Sequence, residues 1–212
     1  MKPKIKAIIF DVGGVLQLQK HSEKTKQDIG IHETLAKKFK KDIDSWFDAI
    51  DTPYGQSIVG KIPRTKALNI ISKNLNTPKS KTIKTFTKTY KKYFKKNKQL
   101  YKTAHKLKKA GYKIGILSDQ WYLSQEVLMP KKDTKKFNPI IVSCDPNVKL
   151  RKPDPKIYKL LIEKTKLKPE QILFIDNREY NLKPAKKLKI KTLLFKNNKQ
   201  TIKELEKIFK QK

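Results

Sequence analysis

Five short apolar runs, spread along a chain that is otherwise rich in charge, constrain the fold most strongly. Each run is nearly continuous in hydrophobic residues and does not alternate with polar ones. Continuous runs of this length are typical of parallel strands that are covered on both faces. The predicted strands are residues 5–10, 112–117, 139–143, 171–175 and 190–195.

Helical patterns separate the later runs. Gly111 follows one of them at a stop position, and Asp154-Pro155 is a typical N-cap and first-turn pair for another. Strands that alternate with helices predict an α/β protein with a Rossmann-like, doubly wound, parallel sheet of five strands. The residues that recur at helical spacing are Leu100, Ala104 and Leu107, then Ile157, Leu160 and Leu161, then Leu182, Ala185 and Leu188.

The first two predicted strands are separated by far more chain than a crossover needs. From Asp11 to Ser118 is 107 residues, with no strand-like run and with helical patterns over 35–39, 43–50, 67–75 and 83–94. A parallel crossover needs only a few dozen residues. We therefore expect a core of residues 1–16 and 100–212, with a helical cap domain, residues 17–99, inserted over the strand ends.

The net charge of +33 raises the question of nucleic-acid binding. The basic residues are 49 Lys and only three Arg, whereas nucleic-acid sites favour the bidentate guanidinium. The basic stretch 79–98 interleaves aromatic residues, but these fall on one helical face, which favours a core-facing amphipathic helix over a base-stacking surface. We expect a solvated lysine coat, and nucleic acid is not predicted to be the specific ligand.

The ends of the predicted strands carry polar and acidic residues in a chain that has only 19 acidic residues. Ligands of doubly wound sheets bind beyond these carboxyl ends. A carboxylate, a hydroxyl, an ammonium and an acid–amide pair at this edge suit phosphoryl transfer assisted by Mg²⁺. These residues are Asp11, Ser118, Asp119, Lys152, Asp176 and Asn177.

Four motifs in order resemble those of the haloacid dehalogenase superfamily: "IIFDVGGVL", "IGILSD", "RKPDPKIY" and "ILFIDNREYN". The resemblance covers residues 5 to about 195 and points to the subfamily, called IA, that has a helical (C1) cap. Within it, the chain is most similar to sugar phosphatases related to α-glucose-1-phosphate phosphatases. The resemblance implies a Mg²⁺-dependent phosphomonoesterase that acts on a small phosphorylated metabolite.

The same resemblance implies a role for each residue. Asp11 is the nucleophile that forms a phosphoaspartate, and Ser118 and Lys152 bind the phosphoryl group. Asp119 contributes its backbone N–H more than its charge. The implied Mg²⁺ ligands are Asp11, the Gly13 carbonyl, Asp176 and Asn177.

Two positions depart from the family pattern. Gly13 stands where a second aspartate usually acts as general acid, and loss of such a group costs about 10²–10⁴ in rate. Asn177 stands where the main metal-binding aspartate is usual, so one formal charge is missing. The expected enzyme is therefore slow or restricted to good leaving groups.

Other interpretations stay open on the sequence alone. The chain could be a catalytically silent relative that binds a phosphorylated ligand or a partner, or a metal-independent 2-haloacid dehalogenase with Arg64 as its cap arginine. Asp11 as a strand-end cap, Ser118 as a turn cap and Lys152 as a solvated side chain are the structural alternatives. Trp121 either lines the pocket or packs beneath the cap.

The remaining features bear on compartment. The apolar run before Asp11 is too short for a signal-peptide core, and no run reaches the ~20 residues of a membrane span. A single cysteine, Cys144, has no partner for a disulfide within the chain and is expected to be a small buried residue. We expect a cytoplasmic protein without a membrane partner. His21, His32 and His105 show no metal-ligand spacing, and the sequence does not define an oligomeric state.

Overall fold

A computed structural model of the chain describes residues 4–19 and 30–209. His21 lies outside the described residues, as do small parts of both predicted domains. The strands of the described residues are β1 (Ala7–Phe10), β2 (Gln17–Gln19), β3 (Phe94–Lys96), β4 (Lys113–Ser118), β5 (Ile140–Val142), β6 (Ile172–Asp176) and β7 (Lys191–Leu194). The helices are α1 (Ile31–Lys38), α2 (Ile43–Ile58), α3 (Arg64–Asn74), α4 (Lys79–Tyr93), α5 (Lys98–Lys109), α6 (Tyr122–Leu128), α7 (Lys131–Thr134), α8 (Pro155–Thr165), α9 (Glu179–Lys187) and α10 (Asn198–Phe209).

The five predicted strands form one parallel sheet in the order β5-β4-β1-β6-β7, which confirms the predicted fold class. β1 lies at the centre and all four of its side chains are buried. Its residues alternate between two apolar clusters, since Ile8 and Phe10 pack on one face and Ala7 and Ile9 on the other. A strand buried on both faces needs a continuous apolar run, and this is the pattern that the sequence shows.

Helices cover both faces of the sheet. α8 and α9 pack on one face, where Ile157 and Leu182 join Ile9 in the core. α5 and α10 pack together on the other face, where Leu107 and Leu205 join the larger cluster. This larger cluster continues into α1 to α4, so the inserted helices share one apolar core with that face of the sheet.

The insertion contains a feature that the sequence does not predict. β2 and β3 form a two-stranded antiparallel sheet, with Gln17 opposite Lys96 and Gln19 opposite Phe94. The predicted helix 83–94 therefore ends one residue early, because Phe94 adopts an extended backbone and joins β3. Three-residue strands without an apolar run leave no periodic signal, so the expectation of no strand in this segment is wrong. The domain boundaries at 16/17 and 99/100 stay a prediction.

Among the described residues, no helix combines the length and the apolar character that crossing a membrane requires.

Candidate active site

The candidate site lies at the edge of the sheet where β4, β1 and β6 end. The chain leaves β1 at Asp11, and Ser118 and Asp176 are the last residues of β4 and β6. Because these three parallel strands are neighbours, Ser118 and Asp176 flank Asp11. The Asp11 and Asp176 side chains are buried, and Ser118 is fully buried.

Lys152 joins the two carboxylates. Its Nζ lies 2.9 Å from Asp11 Oδ1 and 2.7 Å from Asp176 Oδ2. The residue is 2% exposed, so the alternative of a solvated lysine is wrong. Lys152 precedes α8, whose N-cap Asp154 accepts a hydrogen bond from Lys156 N as the sequence predicts. A buried ammonium is tolerated in a protein interior only when carboxylates pair with it, as they do here.

Burial and charge oppose each other within this cluster. Burial raises the pKa of Asp11 to about 6, although Lys152 lowers it; the nearby Asp176 raises it further. Burial lowers the pKa of Lys152, but the Asp11 and Asp176 carboxylates outweigh this and hold it above its ordinary value. Lys152 therefore stays charged, while burial keeps the pKa of Asp11 above its ordinary value despite the ion pair.

Asp119 anchors the loop that carries Lys152. Its Oδ1 accepts a hydrogen bond from Lys152 N at 3.0 Å, and its Oδ2 lies 3.9 Å from Arg151 Nε. Burial raises the pKa of Asp119, and the charge of Lys152 lowers it. The sequence-based expectation was that Asp119 contributes its backbone N–H more than its charge, and it did not include this contact of the carboxylate with Lys152 N.

Gln120 is a second missed residue. Its Nε2 donates to Ser118 Oγ at 3.0 Å, and its backbone N donates to Ser143 Oγ at 3.0 Å. Ser118 Oγ accepts this bond, and its own hydroxyl proton has no acceptor among the described residues. A hydroxyl has one donor, so Ser118 keeps that donor for a ligand. Gln120 is a polar residue two positions after the end of β4, and this position was the sequence signal that could have identified it.

Asp176 is held by three donors. Arg178 N donates to its Oδ1 at 2.8 Å, while Lys152 Nζ and Asn181 Nδ2 donate to its Oδ2 at 2.7 and 3.0 Å. Asn181 lies in the first turn of α9 and its side chain reaches back to the strand end. Sequence reasoning missed Asn181, because a helix residue five positions downstream gives no strand-end signal.

Asn177 packs directly against the turn after Asp11. Gly14 has φ +82°, and a Cβ built on it would lie 2.4 Å from Asn177 Nδ2, so this position requires glycine. Asn177 Oδ1 is buried and has no hydrogen-bond partner among the described residues. Gly13 differs from Gly14, since a Cβ built there would meet no heavy atom within 4 Å.

The donor set fits a hard divalent cation. In the part of the chain that the structure describes, no three His, Cys, Asp or Glu side chains are placed so that together they could hold a metal ion. Mg²⁺ nevertheless needs only one or two carboxylates, since it keeps several waters. Two buried carboxylates share one ammonium here, and the orphaned Asn177 Oδ1 is an oxygen acceptor that a cation would satisfy.

The inserted helices close over this edge through Trp121. The indole is fully buried and its Nε1 donates to Tyr90 Oη at 2.8 Å. Its ring lies 5.0 Å from Phe86 and 5.3 Å from Tyr54, measured between centroids. Trp121 therefore packs beneath the cap helices, which decides between the two placements that the sequence left open.

Other candidate residues lie apart from this cluster. Arg64 at the start of α3 forms two hydrogen bonds with the Glu126 carboxylate, Nε–Oε1 at 2.5 Å and Nη2–Oε2 at 3.2 Å. Its fork is thus occupied by a residue of α6. His32 lies in an aromatic cluster of the cap, and Cys144 is fully buried as expected.

Comparison with known proteins identifies the family of this chain. Residues 5–189 match the family described as haloacid dehalogenase-like hydrolase. The chain therefore belongs to the haloacid dehalogenase-like hydrolases.

Individual relatives are more distant. The chain is 39% identical to bifunctional epoxide hydrolase 2 of Mus musculus over 72 residues, which are 34% of this chain and 13% of that protein. A haloacid dehalogenase family enzyme from Bacteroides thetaiotaomicron, solved with magnesium and inorganic phosphate, is similar at a TM-score of 0.71 and 21% identity, over 91% of this chain and 94% of that one. The L-2-haloacid dehalogenase of Xanthobacter autotrophicus, with chloropropionic acid covalently bound, is similar at a TM-score of 0.55 and 16% identity, over 89% and 76% of the two chains. At these identities the two structures show a shared fold.

Proposed function

We propose that this hydrolase is a Mg²⁺-dependent phosphomonoesterase that acts on small phosphorylated metabolites through a phosphoaspartate on Asp11. The observation that carries the proposal is the buried Asp11–Lys152–Asp176 cluster at the strand ends. An anionic nucleophile can approach a phosphate only where cations offset the repulsion. Lys152 supplies one such cation, 2.9 Å from Asp11 Oδ1.

The first chemical step joins Asp11 to phosphorus. A carboxylate oxygen of Asp11 attacks, the bond between phosphorus and the ester oxygen breaks, and the leaving group departs with the electron pair and takes a proton from solvent. Ser118 donates its free hydroxyl proton to a phosphoryl oxygen, and Lys152 pairs with the same group. In the second step a water attacks phosphorus, its proton passes to solvent, and the bond to Asp11 breaks to release phosphate.

Asp11, the Gly13 carbonyl, Asp176 and Asn177 would hold the Mg²⁺. When bound, the cation supplies positive charge against the phosphoryl oxygens. The relative solved with magnesium and phosphate supports this choice of cation for the proposal.

The missing acid at Gly13 sets the expected substrate range. Without a proton donor, the leaving group departs as an anion, so esters of acidic alcohols such as anomeric sugars and phenols react fastest. Gly13 therefore favours such substrates over simple alkyl phosphates.

A phosphate-release assay tests the proposal. We expect phenyl phosphate and sugar 1-phosphates to be hydrolysed with Mg²⁺ and not after its removal by chelation. Asp11→Asn should lower kcat at least about a thousandfold, because it removes the nucleophile. Asp48→Asn removes an equivalent charge from an exposed position of α2 and is the matched control. Thermal unfolding would verify that both variants fold.

Two results would redirect the proposal. Phosphonate binding at the site without phosphate release from any monoester would indicate the silent phospholigand-binding relative that Gly13 and Asn177 suggest. Halide release from a 2-haloacid without added metal would favour a dehalogenase, although Arg64 is already paired with Glu126.

A further inference from the structure

Arginine is scarce in this chain, and its placement is not uniform. Of the 52 basic residues only three are arginine. Arg64 is paired with Glu126, as described above. The other two, Arg151 and Arg178, flank the candidate active site, one beside Lys152 and one beside Asn177.

Arg151 lies on the rim of the site with most of its donors available. Its side chain is 49% exposed, and among the described residues its one ionic contact is Nε to Asp119 Oδ2 at 3.9 Å. That distance is too long for a hydrogen bond. Since Asp119 also binds Lys152 N at 3.0 Å, Arg151 is tied to the loop that carries the catalytic ammonium while its fork stays open.

Arg178 lies on the other side. Its backbone N–H donates to Asp176 Oδ1 at 2.8 Å, which holds the Arg178 backbone beside the site. Its guanidinium lies 5.9 Å from the Tyr180 ring centroid, and its Nη1 donates to Tyr180 Oη at 2.7 Å. Among the described residues no carboxylate lies within ion-pair distance of it, although, against burial that lowers its pKa, Tyr180 and the more distant charges of Asp11 and Asp176 raise its pKa.

Tyr54, on an inserted helix, experiences the charges of both arginines. Tyr54 is on α2 and its ring packs 5.3 Å from Trp121. Burial raises the pKa of the Tyr54 hydroxyl to about 12, and Arg151 and Arg178 both act to lower it. The same hydroxyl therefore lies within electrostatic reach of both guanidinium groups.

We propose that Arg151 and Arg178 form a second anion-binding subsite beside the phosphoryl position, which selects phosphomonoesters carrying a second anionic group, a carboxylate or a second phosphate. The identity of the first anion rests on the function proposed above. A guanidinium binds such groups through two parallel hydrogen bonds, whereas lysine acts as a point charge. In a chain with 49 lysines, general attraction of anions needs no arginine, so arginine at these two positions indicates directional recognition.

Phosphonates that cannot be hydrolysed test the subsite without turnover. Calorimetry would compare propylphosphonate, 3-phosphonopropanoate and ethane-1,2-bisphosphonate, three flexible probes that share a two-methylene spacer and differ only in the second group. The titrations use the whole chain with Mg²⁺, and the binding of each probe to free Mg²⁺ is subtracted. We expect the doubly anionic probes to bind at least about tenfold more tightly than propylphosphonate.

Variants test whether Arg151 and Arg178 cause this preference for doubly anionic probes. Arg151→Gln and Arg178→Gln should each reduce it about tenfold, and the lysine substitutions should restore it only in part because charge returns without the fork. Lys159→Gln, at an exposed position of α8, removes one charge elsewhere and should leave the preference unchanged. Both arginine side chains are exposed, so the variants are expected to fold.

Each outcome decides the inference. Equal affinity for the three probes, or a preference that survives both glutamine substitutions, would overturn it. A preference for only one of the two anionic probes would identify the second group as carboxylate or phosphate. A preference that depends on the arginines, together with no phosphate release from phenyl phosphate, would uphold the subsite and reject the proposed hydrolysis.

Discussion

At residue 13 the backbone has room for a side chain that glycine does not provide. A Cβ built there has no heavy atom within 4 Å, and Gly13 is not among the glycines with positive φ. Gly13→Asp should therefore be accommodated and should place a carboxylic acid two residues from the nucleophile. We expect kcat to rise about 10²–10⁴-fold for an alkyl phosphate, whose leaving group needs a proton, and less for an aryl phosphate.

The comparison of leaving groups is the informative measurement. Gly13→Asn has nearly the same shape but cannot donate the same proton, so it should gain little on either substrate. An equal gain for alkyl and aryl esters, or for the aspartate and asparagine variants, would contradict the view that Gly13 limits this enzyme through a missing acid. Neighbouring Gly14 offers no such freedom, since its φ is +82° and Asn177 occupies the space.

At the scale of elements, the sequence predicts the sheet well because burial on both faces imposes a local pattern. All five apolar runs become strands, and Asp11, Ser118 and Asp176 at the ends of three neighbouring ones meet at one edge of the sheet. Parallel strands bring their carboxyl ends together whatever the loops do. The strand-end part of the site is therefore readable from the chain.

The rest of the site depends on contacts between segments far apart in sequence. Trp121 donates to Tyr90 across 31 positions, and Asp119 binds Lys152 N across 33. β2 and β3 likewise pair over more than 70 residues of intervening chain and leave no apolar run. Such contacts follow from the packing of segments that are distant in sequence, and no local periodicity records them.

The cap helices contain a histidine that should make their packing sensitive to acid. Trp46 Nε1 donates to His32 Nδ1 at 3.3 Å, and the His32 ring lies 5.3 Å from the Tyr54 ring centroid. Burial lowers the pKa of His32 below its ordinary value of 6.5, although Asp51 raises it somewhat. The unfolded chain then binds the proton more readily, so the free energy of unfolding should fall as pH drops through 6.5.

Urea unfolding between pH 7.5 and 5.5 measures this effect. The contribution of one proton is at most about 1.4 kcal/mol per pH unit. His32→Asn keeps an acceptor near the indole but does not titrate, so its stability should depend less on pH over this range. His105 is present in both proteins and cancels in the comparison. Parallel pH profiles for the two proteins would show that His32 does not control the stability of the cap.

For the molecule as a whole, the residues that give the net charge are largely different from the residues of the candidate site. The net charge is +33, yet its sources are almost all lysines, and two of the three arginines are at the candidate site. A dispersed lysine surface attracts any polyanion over the range that salt allows, about 8 Å at physiological ionic strength. The same field raises the local concentration of small phosphorylated anions near the site.

Binding to nucleic acid should therefore be non-specific and sensitive to salt. We expect a labelled single-stranded oligonucleotide to bind at 50 mM salt and to weaken steeply, with a Kd above about 1 µM at 150 mM, because the affinity comes from counterion release. Fluorescence anisotropy across a salt series would measure the slope, and oligonucleotides of different sequence serve as the control and should give equal affinity. A sub-micromolar Kd at 150 mM salt that depends on sequence would mean that the lysine surface includes a selected nucleic-acid site, and the small-anion interpretation of the charge would then fail.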